Sequence, residues 1–303
     1  MARIVLHEVG PRDGLQMEKA VVPTDVKEAW IRRLLAARLD IVQVGSFVHP
    51  DKVPQMADTD ELFRRLTADR PAGGVLSGLA LNEKGVERGL RCGVELFCVG
   101  ASASDTHSRR NTGMGTDEAV GRIVAVAREA VAAKKAVQIS VQSAFGCGFE
   151  GPIPEERVLG MVRAYLEAGL RQVSLADTAG HAHPAQVERL FSQVRALASD
   201  VECTCHLHNT YGLGMANIFA ALRAGVTAVE TSFAGLGGCP FTKVAAGNVA
   251  TEDFVHALQR DSLREDVDLQ ALIAVSRDVG AHLGREMPGF VHKTGPIARA
   301  ERT

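Results

Sequence analysis

A closed barrel of eight parallel β-strands alternating with α-helices, with extra helices at the C-terminal end, is the fold class this sequence predicts. Three observations point to it. A unit in which a helix ends in small residues or Gly and a β-branched run follows recurs along the chain. The strand candidates number eight, and no Pro/Ser linker or low-complexity stretch separates them. The unit reads Leu34 to Asp40 before Ile41–Val44, Gly89 to Gly93 before Val94–Val99, Leu166 to Gly169 before Leu170–Leu175, and Leu222 to Gly225 before Val226–Thr231. Gly at a helix C-terminus accepts the left-handed turn that redirects the chain, and helix-then-buried-strand repetition marks βα units of a parallel sheet.

In order, the predicted strands are Arg3–Val9, Asp40–Val44, Gly74–Ala80, Val94–Val99, Val137–Ser143, Gln172–Ala176, Val201–His206 and Ala228–Phe233. Amphipathic helices lie between them. Thr24 is expected to cap one in which Val26, Trp30 and Leu34 repeat at four-residue spacing. Thr116 is expected to cap another, carrying Val120, Ile123, Val124, Ala127 and Val131. Two more, Thr251–Leu258 and Leu269–Leu283, follow the last strand and should pack outside the barrel. The expectation is one barrel domain over residues 1–303, with 251–303 as its C-terminal helices; an open doubly wound sheet is the alternative, because pattern alone does not show closure.

Composition narrows the function. The 303 residues are 46% hydrophobic and 23% charged, enough for a large core in a soluble chain. Lys+Arg number 34 and Asp+Glu 36, a net charge of −2, so no basic field argues for nucleic acid. No apolar run approaches the ~18 residues of a membrane span. The opening residues lack a signal-peptide layout, and Ala-Glu-Arg-Thr at the end is neither a peroxisomal nor an endoplasmic-reticulum address. Six unevenly spaced cysteines do not make a disulfide framework, so the cytoplasm is the expected compartment.

A barrel of this kind carries its active site at the C-terminal ends of the strands. Suggestive residues fall there in several units. After the first strand comes Pro11-Arg12-Asp13-Gly14; taken alone, Arg12 and Asp13 read as a strand-end salt bridge. The seventh strand ends His206-Leu207-His208-Asn209, and residues two apart share a face, so both imidazoles can reach one point. Cys203 and Cys205 fall on the opposite face, which weakens a Cys/His zinc reading. After the eighth strand comes Ala234 to Pro240, with three glycines beside Cys239, then Gly247-Asn248. Such a loop can approach a ligand closely or move, although a lone Cys is more often an inert packed thiol and Asn248 could be a cap. The sixth strand ends at Asp177, which is either catalytic or a cap for the segment after it. The nearby His181-Ala182-His183 sits in a loop and reads as a decoy.

Taken together, Glu8 to Gln16, Ser46 to Pro50, Val53 to Asp58, His206 to Gly212, Ala234 to Pro240 and Gly247 to Asp253 resemble 3-hydroxy-3-methylglutaryl-CoA lyase and its metal-dependent relatives. That family is a (β/α)8 barrel. The resemblance implies a divalent ion, Mg²⁺ or Mn²⁺, held by Asp13, His206, His208 and Asn248, a ligand set of oxygens and imidazoles rather than thiolates. It implies retro-Claisen cleavage of an acyl-CoA, 3-hydroxy-3-methylglutaryl-CoA first, to acetyl-CoA and acetoacetate. In that reaction Arg12 would stabilise the enolate oxygen, His206 and Asp177 would handle protons, and Cys239 would protonate the acetyl carbanion. Asn111 matches a substrate-side segment, and its neighbours Arg109 and Arg110 could meet CoA phosphates or form a solvated charge pair. The family's habit suggests a homodimer.

One position departs from the pattern. Gln43 stands on the second strand where established lyases carry Glu; it keeps shape and hydrogen bonding but no charge. Loss of that charge near Asp13, together with the histidines at 181 and 183, implies a relative tuned to another 3-hydroxy-3-carboxymethyl acyl-CoA. The readings are therefore a lyase on 3-hydroxy-3-methylglutaryl-CoA, one of the same mechanism on a different 3-hydroxyacyl-CoA, a Claisen synthase joining acetyl-CoA to a 2-oxo acid, or a barrel that binds without turnover. Such synthases carry a large C-terminal extension, and only ~50 residues follow Asp253 here. Intact Arg12, Asp13, His206, His208, Cys239 and Asn248 argue against a merely binding protein.

Overall fold

Residues 3–238 and 247–297 are described by a computed structural model. Its eight strands close into one parallel barrel in sequence order, the last pairing with the first. The open-sheet alternative is thereby excluded. The strands are β1 (Val5–Glu8), β2 (Ile41–Ser46), β3 (Val75–Leu79), β4 (Leu96–Ser102), β5 (Ala136–Gln142), β6 (Gln172–Asp177), β7 (Glu202–Leu207) and β8 (Ala228–Thr231). Around them run α1 (Thr24–Ala36), α2 (Thr59–Ala68), α3 (Glu83–Cys92), α4 (Asp105–Thr112), α5 (Thr116–Ala132), α6 (Glu155–Glu167), α7 (Pro184–Leu197) and α8 (Gly214–Arg223). After β8 come α9 (Thr251–Arg260), α10 (Leu269–Leu283) and the short α11 (Val291–Thr294). No helix among the described residues is long and apolar enough to cross a membrane.

Period-two alternation separates two environments. Val173, Leu175, Cys203, Cys205, Leu207 and Val229 are all buried among the apolar residues of the core. Their alternates Ser174, Thr204, His206 and Glu230 are buried too, yet polar. Barrel interiors are usually filled by Val, Ile and Leu. Here the interior carries hydrogen-bonding groups, each of which must find a partner or a ligand. The β2–β3 register slips between Gln43 and Gly45, so Gln43 faces Ser77 and Gly45 faces Gly78. The extra residue bends the end of β2 beside the first strand's turn.

Helix termini show where local reading needed correction. Asn82, Ser104 and Asp268 cap α3, α4 and α10 through their side chains. Thr24 and Thr116 do not cap. Each is the first helical residue, preceded by Pro23 and Gly115 as the boundary residues. The Thr116 amide donates instead to Asp105 Oδ1 at 3.0 Å, a cap from the preceding helix. On α5 the buried face runs through Ala119, Ile123, Val126, Ala127 and Ala130, whereas Val131 is 49% exposed.

The helices after the barrel pack on its closing seam. Trp30 of α1 lies edge-on to His282 of α10 at 5.5 Å and to Phe233 at 6.0 Å. On the same side Lys27 is 1% exposed and donates to Asp58 Oδ1 at 2.7 Å and to the Gln55 carbonyl. A buried ammonium without its carboxylate is costly. Asp58→Ala should therefore destabilise the fold by about 3 kcal/mol in urea unfolding, and adding Lys27→Met should recover most of that loss.

Candidate active site

The first strand ends in a single π-helical turn, Gly10–Gly14, opened by Pro11. The Val9 carbonyl accepts from the amides of Arg12, Asp13 and Gly14 at 3.1, 2.7 and 3.4 Å, which fixes both functional side chains on one rim of the barrel. Across the mouth, His206 projects from β7 and His208 follows it, bridged by backbone to Asn248. One ligand atom each from Asp13, His206 and His208 lies within 4.8 Å of the others. The two Nε2 atoms of the histidines are 3.0 Å apart.

Asn248 completes the group. Its Nδ2 donates to Asp13 Oδ2 at 2.8 Å and to the Leu236 carbonyl at 3.0 Å, while its buried Oδ1 has no hydrogen-bond partner among the described residues. Converging lone pairs and an orphaned amide oxygen are what a cation would satisfy, so the residues present fit a divalent ion. Two glycines make room for this. Gly237 sits at φ +110°, where a Cβ would lie 2.6 Å from Asn248 Nδ2. A Cβ on Gly247 would lie 2.1 Å from the Gly237 carbonyl carbon, so neither position admits a side chain.

Arg12 links the cluster to β2. Its Nη1 donates to Asp13 Oδ1 at 2.6 Å, and its Nε donates to Gln43 Oε1. Gln16 adds a 3.3 Å bond to the same Asp13 oxygen. Burial would raise the Asp13 pKa, but the positive charge of Arg12, the neighbouring His206 and the hydrogen bond from Asn248 outweigh it and hold the carboxyl below its usual value. Burial, then the neighbouring charge of His206, pushes His208 down to about 4, leaving a neutral imidazole suited to coordination.

A second carboxylate lies beneath the first layer. Glu230 of β8 is 5% exposed, and its Oε2 is 2.7 Å from His206 Nδ1. Burial opposes its charge, yet the hydrogen bond from His206 and the close approach of the His7 ring prevail and hold its pKa well below the carboxylate range. For His206 burial lowers basicity, and the bond and charge of Glu230 more than restore it, so its pKa lies above the ordinary value. Sequence reading missed Glu230. The available signal was an acid at the centre of an otherwise buried strand.

A cavity of about 330 Å³ opens beside the cluster. Arg12, Gln43, Asn111, Ser174, His206 and His208 are among the residues lining it. Asn111, at the end of α4, is thus on the cavity wall, as is Arg110, whose guanidinium sits 4.1 Å from the Phe149 ring centroid. Arg109 instead pairs with Asp105 at 2.7 Å on the surface. Asp177 lies between Ala176 and Thr178, which line the cavity, and also anchors the loop after β6. Its carboxylate accepts from the His181 amide at 2.8 Å and the Ala182 amide at 3.1 Å, and burial raises its pKa to about 6. His206 turns Nδ1 to Glu230 and Nε2 toward the cluster, 3.0 Å from His208 Nε2. His181 and His183 are exposed and stand outside the cluster; the His181 ring packs near Tyr211 at 6.1 Å. Cys239 lies outside the described residues.

A closed parallel barrel with an Asp-His-His-Asn cluster at the strand C-termini defines the class: a (β/α)8 barrel with a candidate divalent-metal centre. The HMGL-like family model matches residues 3–279. The chain is 34% identical over 286 residues to hydroxymethylglutaryl-CoA lyase YngG of Bacillus subtilis, covering 94% of this chain and 95% of that one. It is 36% identical over 308 residues to the (R)-citramalyl-CoA lyase of Chloroflexus aurantiacus, covering 98% and 96%. Among solved structures, an HMG-CoA lyase from Acinetobacter baumannii in complex with coenzyme A and 3-methylmalate superposes with a TM-score of 0.92 at 36% identity, covering 99% and 98%. The chain belongs to the HMGL-like family, and with it to the carbon–carbon lyases.

Proposed function

We propose that this protein cleaves 3-hydroxy-3-methylglutaryl-CoA to acetyl-CoA and acetoacetate by a metal-dependent retro-Claisen reaction. The observation that carries this reading is the convergence of Asp13, His206, His208 and Asn248 beside Arg12 at the head of one cavity. Relatives that act on hydroxymethylglutaryl-CoA support it. Held by those four residues, Mg²⁺ or Mn²⁺ would supply Lewis-acid stabilisation of developing oxyanion charge.

The chain's own groups do the rest. The C3 hydroxyl gives its proton to Asp177, with His206 beside it: the buried carboxylate keeps lone pairs beyond its two loop-amide bonds, and burial raises its pKa to about 6. Its electron pair forms the ketone carbonyl as the C2–C3 bond breaks, and the bonding pair leaves with the thioester as an enolate. Arg12, fixed between Gln43 and Asp13, faces that enolate with a permanent positive charge that needs no reorganisation. Cys239 gives the proton that completes acetyl-CoA. Asn111 and Gln43 orient the acyl-CoA from the cavity wall, and Asp177 positions the loop after β6. Within this reading the protein acts as a cytoplasmic homodimer on a soluble acyl-CoA, with neither nucleic acid nor membrane as partner.

The test is acetyl-CoA release by purified protein with Mg²⁺ or Mn²⁺ and then with EDTA. Release should fall by about 10²-fold or more on chelation and return with Mn²⁺; chelator-insensitive release would overturn the reading. A second reading, the same mechanism on a different 3-hydroxyacyl-CoA, is favoured by the uncharged Gln43 against Arg12 and by similarity to a citramalyl-CoA lyase. Faster release from citramalyl-CoA than from 3-hydroxy-3-methylglutaryl-CoA would select it.

A further inference from the structure

The polar interior of the barrel is organised around one side chain. Glu230 lies laterally opposite His7 on β1 and opposite His206 on β7. Its Oε2 takes the His206 Nδ1 contact at 2.7 Å, while Oε1 lies 3.3 Å from His7 Nδ1 and accepts from Gln138 Nε2 on β5. The partners are themselves oriented. Thr204 Oγ1 donates to Gln138 Oε1 at 3.3 Å, which turns the amide so that its NH₂ faces Glu230. His7 Nε2 and Ser77 Oγ are 2.8 Å apart, which fixes the His7 ring from β3. Strands β1, β3, β5 and β7 thus all contribute to the setting of one carboxylate on β8.

We infer that Glu230, braced by Gln138 and His7, is a positioning residue that locks the His206 ring with Nδ1–H toward the barrel interior and the Nε2 lone pair toward the candidate metal centre. The reason is the tautomer. A neutral imidazole has one N–H, and a carboxylate can only accept, so Glu230 compels that hydrogen onto Nδ1 and frees Nε2 to coordinate. Outer carboxylates of this kind also raise the donor strength of a ligating imidazole, and their loss costs ~10–100-fold in metal affinity. Glu230 borders the same cavity, but its oxygens are turned to His206, Gln138 and His7, so its role is assigned through the His206 ring. This inference rests on the reading of Asp13, His206, His208 and Asn248 as ligands.

The experiment titrates Mn²⁺ into metal-free protein by calorimetry, for the wild type, Asp13→Ala, Glu230→Gln and Gln138→Met, with circular dichroism as the check on folding. Mn²⁺ should bind the wild type, fail to bind Asp13→Ala, and bind folded Glu230→Gln ~10–100-fold more weakly. Gln138→Met should give a smaller loss in the same direction. Equal Mn²⁺ affinity in the wild type and in folded Glu230→Gln would overturn the inference while leaving the ligand reading intact. No Mn²⁺ binding by the wild type would overturn both. Nitrogen-15 NMR of the histidine rings in the metal-free wild type, at a pH high enough to keep His206 neutral, decides the matter even where Glu230→Gln does not fold. His206 should show the Nδ1–H form, and an Nε2–H form would overturn the inference.

Discussion

Asp13→Ala is expected to abolish Mn²⁺ binding in calorimetry and to lower acetyl-CoA release by on the order of 10³-fold, while the melting temperature should stay within a few degrees of the wild type. Geometry is the reason. Asp13 supplies the only carboxylate oxygens in the Asp-His-His group, and no other acid among the described residues stands close enough to replace it there. Both of its oxygens are engaged, Oδ1 with Arg12 and Gln16 and Oδ2 with Asn248. Removing it therefore releases three side chains at once. The fold persists, because the turn is held by backbone bonds to the Val9 carbonyl rather than by the Asp13 side chain. Retention of tight Mn²⁺ binding in Asp13→Ala would sink the ligand assignment.

Arg12→Lys is expected to reduce kcat by about 10²–10³-fold while changing Mn²⁺ affinity by less than ~10-fold. Arg12 uses two different nitrogens, Nε on Gln43 and Nη1 on Asp13, and so is held as a fork between β2 and the first-strand turn. An ammonium is a point charge on a flexible stem. It can reach one of those oxygens but cannot span both, so the charge that should face the enolate is no longer fixed. Steady-state kinetics beside calorimetry separates the two roles. A parallel collapse of metal affinity would make Arg12 a support for Asp13 instead of a group that stabilises the enolate.

The parts of this molecule legible in the sequence are those whose cause is local. Alternation and helix-end glycines carry the eight strands and their order, and strand ends carry Arg12, Asp13, His206 and His208 to one face of the barrel. The features that escaped depend on residues distant in the chain. Gln138 and Glu230 are 92 positions apart, so neither shows a partner in its own neighbourhood. Thr116 looks like a cap until Asp105, eleven residues earlier, takes its amide. Asp177 has the same local sequence whether or not it also holds the amides of His181 and Ala182, and only the path of the loop decides. Gln43 stands out in the sequence for the charge it lacks; its grip on Arg12 is visible only with the bend of β2.

The seam that closes the barrel also sets when the protein can begin to work. Asn248 Nδ2 meets Asp13 Oδ2 across 235 positions, and Thr251 Oγ1 donates to Glu8 Oε2 across 243. The ends of the pocket are thus made at opposite ends of translation. A nascent chain holding every residue through His208 still lacks Asn248, and the Thr251 side chain that ties β1 to the start of α9 arrives later still. During synthesis the Asp-His-His-Asn group is incomplete until residue 248 has emerged, however many βα units have already formed.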